Sequence, residues 1–181
     1  SHSDYDAFVS LFSDTYDSVK EVSPDTQVFT IFQLERMKGL RGGLFGGVND
    51  VAKNDWELLE DFVKADFFGF TTYPGLIYKD PSEIPSDHYA EIANRTEKRI
   101  ALTEVGWHSD SSPSGWASDE AEQAEYVDVF FDMTDGMDIE LAVWCFMYDQ
   151  PGAPVPFKTM GLFTQGGASK DAWQSLKEHD L

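Results

Sequence analysis

The 181-residue chain carries 33 acidic against 13 basic side chains, a net charge of −20, with 41% hydrophobic and 14% aromatic residues. That composition excludes a disordered chain, and it argues against nucleic acid or an anionic membrane surface as a partner, because a phosphate backbone requires a basic footprint. No apolar run is long enough to span a bilayer, the length suits one domain but falls short of a complete eight-unit α/β barrel, and the lone Cys145 makes no internal disulfide.

From Tyr5 to Lys20, Phe8, Leu11, Phe12, Tyr16 and Val19 recur at helical spacing and predict a helix with one apolar face. Ser23, Pro24 and Asp25 end it. Gln27 to Leu34 is a nearly continuous apolar run of strand length, the pattern of a strand covered on both faces in a parallel sheet. Gly39 to Gly47 holds five glycines but lacks both a phosphate-loop Lys-Ser/Thr and a dinucleotide spacing, so it is expected to be a mobile loop on the substrate side. Asn54 as an N-cap, with Glu57 three residues on, predicts a short helix with Trp56, Leu59 and Val63 inward.

Asp66 to Thr72 reads as a second strand, stopped by Tyr73, Pro74 and Gly75. A helix over Asp87 to Thr96 leads to a third strand, Arg99 to Glu104. Ser118, Asp119 and Glu120 open an acidic helix start, with Ala124, Val127 and Phe131 buried below it. Ile139 to Tyr148 is the fourth strand, holding Cys145 as a small core residue, and Ala168 to His179 closes the chain as a helix. The units start near 27, 66, 99 and 139, a spacing of roughly thirty to forty residues that repeated βα units require. The expectation is one α/β domain over 1–181: a helix (5–20), then four βα units on a parallel sheet.

Ligands of parallel α/β proteins bind beyond the carboxyl ends of the strands. Here those ends carry Gln33 and Glu35, then Tyr73, then Glu104 and Trp107, then Trp144 with Tyr148 and Asp149. Carboxylates, a phenol and indoles are the groups a sugar site uses: carboxylates work at the anomeric carbon, and aromatic faces cover the apolar face of a pyranose. Glu104 by itself is open to four roles: nucleophile, base, metal ligand or salt-bridged strand end. Each aromatic taken singly is as readily core packing. Metal ligation is not expected, since His2, His88, His108 and His179 show no ligand spacing, and no cofactor motif is present.

Taken together, these stretches resemble the carboxyl-terminal half, strands five to eight, of a retaining (β/α)8-barrel β-glycosidase of the clan that includes endo-galactanases, cellulases and β-mannanases. The matching residues are Val22 to Val28 leading into Phe32 to Glu35, Asp66 to Pro74, Leu102 to Trp107 (Leu-Thr-Glu-Val-Gly-Trp), Trp144, and Gly161 to Trp173. The resemblance implies a parallel (βα)4 half of a TIM barrel preceded by one helix. It further implies Glu104 as nucleophile, Tyr73 as the phenol oriented toward it and Trp144 as the floor of the sugar subsite, while Trp107, Gln33 and Glu35 are expected as substrate contacts from their places at the strand ends. The substrate is then a β-linked oligo- or polysaccharide, which secretion would fit.

That clan's acid/base glutamate ends strand four, and the resemblance supplies no position for it here; Glu35 is the nearest carboxyl by strand position. Four parallel strands cannot close a barrel, so two apolar edges and an inner face are expected to seek cover. The cover is either a second copy, giving a two-fold eight-stranded barrel or a face-to-face sandwich of half-barrels, or a missing amino-terminal half. Two other expectations stand beside a hydrolase: a non-catalytic sugar-binding or assembly module, and a fragment of a longer enzyme.

Overall fold

Four short parallel strands make the frame. The computed structural model describes residues 3–110 and 115–179, and the strands are β1 (Thr30–Gln33), β2 (Phe68–Thr72), β3 (Ile100–Val105) and β4 (Ile139–Trp144), paired in the order β1-β2-β3-β4. One long helix, α1 (Ser3–Val22), precedes them. The helices between and after the strands are α2 (Leu34–Met37), α3 (Ala90–Ala93), α4 (Glu120–Thr134) and α5 (Asp171–Glu178). This is the expected parallel α/β arrangement, half of a TIM barrel led by a helix. His2 lies outside the described residues.

Strand register sorts the side chains onto two faces. Phe32, Phe70, Leu102 and Ala142 align in one row across the sheet. Phe70 and Leu102 are fully buried there against Trp56, Phe62, Ile92, Tyr126 and Phe130. One residue back, Ile31, Gly69, Ala101 and Leu141 align on the opposite face. The two central positions of that row are small, while the edge residues Ile31 and Leu141 stand 50% and 46% exposed. Helices therefore cover one face, and the face that would line a barrel is open.

Helix α1 is fastened through Phe62, which is 1% exposed and meets Phe12 edge-on at 5.2 Å, Phe32 at 5.6 Å, Phe8 at 5.7 Å and Tyr5 at 6.4 Å. Edge-to-face rings add to the burial gain, so this cluster is the main bond between helix and sheet.

Several elements differ from the sequence expectation. The first strand begins at Thr30 rather than Gln27, because the Val28 N–H donates to the Asp66 carboxylate at 2.6 Å and leaves the ladder. It ends at Gln33, whose side chain accepts from the Arg36 N–H and starts α2. The fourth strand breaks at Cys145: β5 (Phe146–Tyr148) leaves the main sheet and pairs in parallel with β6 (Gly161–Phe163). The helix expected near 54–63 is a 3-10 run, Trp56–Phe62, and the Asn54 amide bonds back to the Val51 carbonyl at 2.8 Å instead of capping it. The helix expected over 87–96 shrinks to α3. In α4 the buried positions are Gln123, Tyr126, Val127, Phe130 and Thr134, with Ala124 and Phe131 only partly covered.

The glycine-rich loop is packed. At Gly43, with φ of +56°, a Cβ would lie 2.1 Å from the Leu76 carbonyl oxygen, so the loop rests against the turn that follows Tyr73. Removing the ring at the centre of the helix–sheet contact is the direct test of this architecture. Phe62→Ala is expected to cost about 3–5 kcal/mol in urea unfolding and to expose the α1–β1 connection to protease; an unchanged midpoint would show that α1 is held elsewhere.

Candidate active site

At the carboxyl end of the open face, Gln33, Thr71 and Glu104 fall in one row. A regular ladder would not put them there. Leu102 pairs with Phe70, yet Thr71 pairs with Glu104, so β3 carries one extra residue, Thr103, whose hydroxyl bonds the Phe70 carbonyl at 3.2 Å. Because strand side chains alternate, that inserted residue turns Glu104 out to the open face, where it is exposed.

Tyr73, 7% exposed, is held at both ends. Its N–H donates to Oε1 of Glu35 at 3.0 Å, and its hydroxyl donates to Oε2 of Glu104 at 2.5 Å. Burial, and next the bond to Glu104, push the phenol well above its ordinary value of 10.0, so it remains a donor at any working pH. The Cys145 thiol shares this corner. Burial and then the Glu104 charge raise it to about 12, which keeps it neutral. Gly106 makes room for both: a Cβ there would meet Cys145 Sγ at 2.6 Å and the Tyr73 ring at 3.2 Å.

Glu35 lies inside the protein with 0% exposure. Its Oε1 accepts from the Thr72 hydroxyl at 2.8 Å as well as from Tyr73, and its Oε2 accepts from the Gln33 amide at 2.9 Å. Buried His88 brings Nε2 to 3.8 Å from Oε1, too far for a hydrogen bond. The expected substrate contact through Glu35 has no open path in this chain, and Gln33, half-buried, spends its amide on Glu35 and on the Arg36 N–H.

The two tryptophans also sit differently from expectation. Trp107 is 0% exposed; its indole N–H donates to Glu122 at 2.9 Å and its ring stacks on Tyr126 at 5.0 Å. Trp144 pairs in register with Val105, donates its N–H to the Met160 carbonyl at 2.7 Å, and lines the helix side with Val127 and Phe130. Neither indole offers an open face over Glu104. The aromatic that does approach Tyr73 is Phe157, edge-on at 5.1 Å, from a single 3-10 turn, Phe157–Thr159, with no strand pattern to reveal it.

With that geometry established, solved structures supply the comparison. An active-site mutant of Rhizomucor miehei β-1,3-glucanosyltransferase with laminaritriose superimposes with a TM-score of 0.60 at 15% identity, over 91% of this chain and 56% of the other. Thermotoga petrophila xylanase 10B with xylobiose gives 0.60 at 20%, over 94% and 51%. Lactobacillus rhamnosus β-glucuronidase gives 0.62 at 17%, over 94% and 29%. The fold is that of half a TIM barrel, shared with part of each of these structures. The chain spans little more than half the length of the longest-covered of these three structures. No family model matches it, and no curated protein matches it by sequence.

On this frame the rim offers an exposed carboxylate, Glu104, with a fixed donor, which suits attack at an electrophilic carbon. Among the described residues no three His, Cys, Asp or Glu side chains group to hold a metal ion.

Two buried histidines close to the site, His88 and His108, have pKa values lowered from 6.5, in each case chiefly by burial. The native imidazoles stay neutral where the unfolded chain takes up protons, so stability is expected to fall as pH drops below about 6.5, by up to about 1.4 kcal/mol per pH unit for each histidine. Urea unfolding from pH 7.5 to pH 5.5 measures that slope, as values of about those pH units bracket the unfolded titration. The His88→Gln variant should lose one histidine's share; an unchanged slope would mean His88 titrates alike in both states.

Proposed function

We propose that this chain is a half-barrel domain carrying the nucleophile side of a retaining β-glycosidase site, with Glu104 as nucleophile and Tyr73 as the donor that holds it. The observation supporting this most directly is the bond from the Tyr73 hydroxyl to the exposed Glu104 carboxylate at the carboxyl rim of the sheet. A Glu104 oxygen attacks the anomeric carbon as the glycosidic oxygen departs, and water later releases the sugar from the glutamyl ester. The substrate is a β-linked oligo- or polysaccharide, in keeping with the laminaritriose and xylobiose held by proteins of like fold.

Departure of a sugar alcohol needs a second carboxyl about 5–5.5 Å from the nucleophile. Glu35 is buried and committed to three donors, so the acid/base comes from outside the described residues. The open edges point to the same source: Ile31 on β1 and Leu141 and Val143 on β4 are 50%, 46% and 39% exposed on strands with a free side. A second copy or a complementary half supplies both the missing strands and the carboxyl.

A good leaving group removes the need for acid. A 2,4-dinitrophenyl 2-deoxy-2-fluoro-β-glycoside therefore tests the nucleophile in the chain as it stands: Glu104 attacks C1, dinitrophenolate leaves, and the ester accumulates. Labelling that maps to Glu104 by mass spectrometry and is abolished in Glu104→Gln is the expected result. Oligosaccharide binding without labelling would instead favour a sugar-binding or assembly module, the second reading that the commitment of Glu35 supports.

The assembly is tested separately by light scattering. The two-copy arrangement predicts a dimer that Leu141→Asp dissociates, weakening association by roughly a hundredfold or more. A clean monomer at all concentrations excludes that arrangement and leaves a complementary half as the partner.

A further inference from the structure

We infer that Glu35 is a positioning residue for the proposed nucleophile: its buried carboxylate fixes the Tyr73 main chain so that the phenol reaches Glu104. The inference rests on the reading of Glu104 given above. Glu35 stands two residues past the end of β1, beyond Gln33 and inside the first turn of α2. From there its Oε1 gathers two groups of the neighbouring strand end, the Thr72 hydroxyl at 2.8 Å and the Tyr73 N–H at 3.0 Å. Tyr73 has left the ladder at that point, since β2 ends at Thr72 and the residue caps the next turn with φ of −138° and ψ of 72°. Its N–H therefore has no strand partner, and the carboxylate supplies the acceptor that a buried donor requires.

The polarity of this arrangement is specific. Oε2 of Glu35 accepts from the Gln33 amide nitrogen at 2.9 Å, while the Gln33 amide oxygen accepts from the Arg36 N–H at 3.2 Å. That second bond fixes which way the Gln33 amide points. A glutamine at position 35 then presents its NH2 either to the Gln33 NH2 or to the Tyr73 N–H, two donors facing each other in each case, although its shape and volume match glutamate. A misplaced Tyr73 backbone moves the ring, and with it the donor to Glu104.

The same logic predicts a rescue. In the double variant Gln33→Glu with Glu35→Gln, the amide oxygen at 35 faces Thr72 and Tyr73, its NH2 faces a carboxylate at 33, and that carboxylate still accepts from Arg36. All four bonds return, and only the one between positions 33 and 35 reverses its direction. A role limited to burying a charge would gain nothing from the exchange, whereas a role in aiming Tyr73 is restored by it.

Two measurements on the 181-residue chain decide the matter. Crystal structures of the single and double variants report the Tyr73 hydroxyl–Glu104 contact, which is expected to open in Glu35→Gln and to re-form in the double variant. The rate of Glu104 labelling by 2,4-dinitrophenyl 2-deoxy-2-fluoro-β-glycosides is expected to fall roughly tenfold to a hundredfold in Glu35→Gln and to recover in the double variant. An intact contact in Glu35→Gln, or a lost contact that the double variant fails to restore, overturns the inference. Should the contact follow the expected pattern while even the unsubstituted chain takes no label, the positioning stands and the nucleophile assignment fails.

Discussion

Tyr73 is the joint on which the candidate site turns. Its main chain is bonded to a buried carboxylate on one strand end and its hydroxyl to an exposed carboxylate on another, so three consecutive strands are tied at their carboxyl rim through one residue. Burying Glu35 without partners would cost several kcal/mol, and it is tolerable because both oxygens are filled by donors from Gln33, Thr72 and Tyr73. Such a network is rigid when complete, since each donor has lost its access to water and has one acceptor to go to. The rim is therefore fixed from behind by buried Glu35 and its donors, while Glu104 stands exposed in front.

The sheet below explains why the site faces the way it does. Helices, a 3-10 run and α1 cover the face bearing Phe32, Phe70 and Leu102, and that face holds the core. The opposite face has Gly69 and Ala101 at its centre, residues too small to form a core of their own. At its amino-terminal end Phe29 stacks on Phe67 at 4.1 Å, and a Cβ on Gly69 would meet the Phe29 ring at 3.0 Å, so that end is filled by aromatic rings. A complete barrel fills its interior with layers of side chains from alternate strands. Half of one leaves the edge residues of that layer, Ile31 and Leu141, in solvent, while Gly69 and Ala101 at its centre stay buried.

Much of the fold was legible because parallel strands buried between layers are written as short apolar runs between turn residues. The four strands and α1 are where those runs lie. What sequence could not show is the register. Trp107 follows β3 and Trp144 ends β4, places that point both toward the mouth, but the bulge at Thr103 reverses which residues of β3 point outward, and the pairing of Trp144 with Val105 carries that indole to the helix side. One inserted residue separates an exposed carboxylate from a buried one, and no periodicity argument sees it. The break at Cys145 was hidden for a related reason: the apolar run continues through it, and only the pairing of Phe146 with Gly161 reveals that the chain has changed sheets. Phe157 gave no signal because it opens a single 3-10 turn too short to show a periodicity.

The stretch from Glu104 to Trp107 can now be read as four successive demands. Glu104 is placed outward by the bulge, and its carboxylate takes the Tyr73 hydroxyl. Val105, 2% exposed, turns back to the helix-side core. Gly106 lies where any side chain would strike Cys145 and Tyr73, so the residue that follows the carboxylate by two must be small if the phenol is to lie against it. Trp107 then fills the space above the core, fixed by Glu122 and Ser118 through its N–H, and its ring meets Gly75 so closely that a Cβ there would come to 3.2 Å. Gly75 follows Tyr73 by two residues. The indole therefore packs against the same turn whose N–H Glu35 holds from the other side.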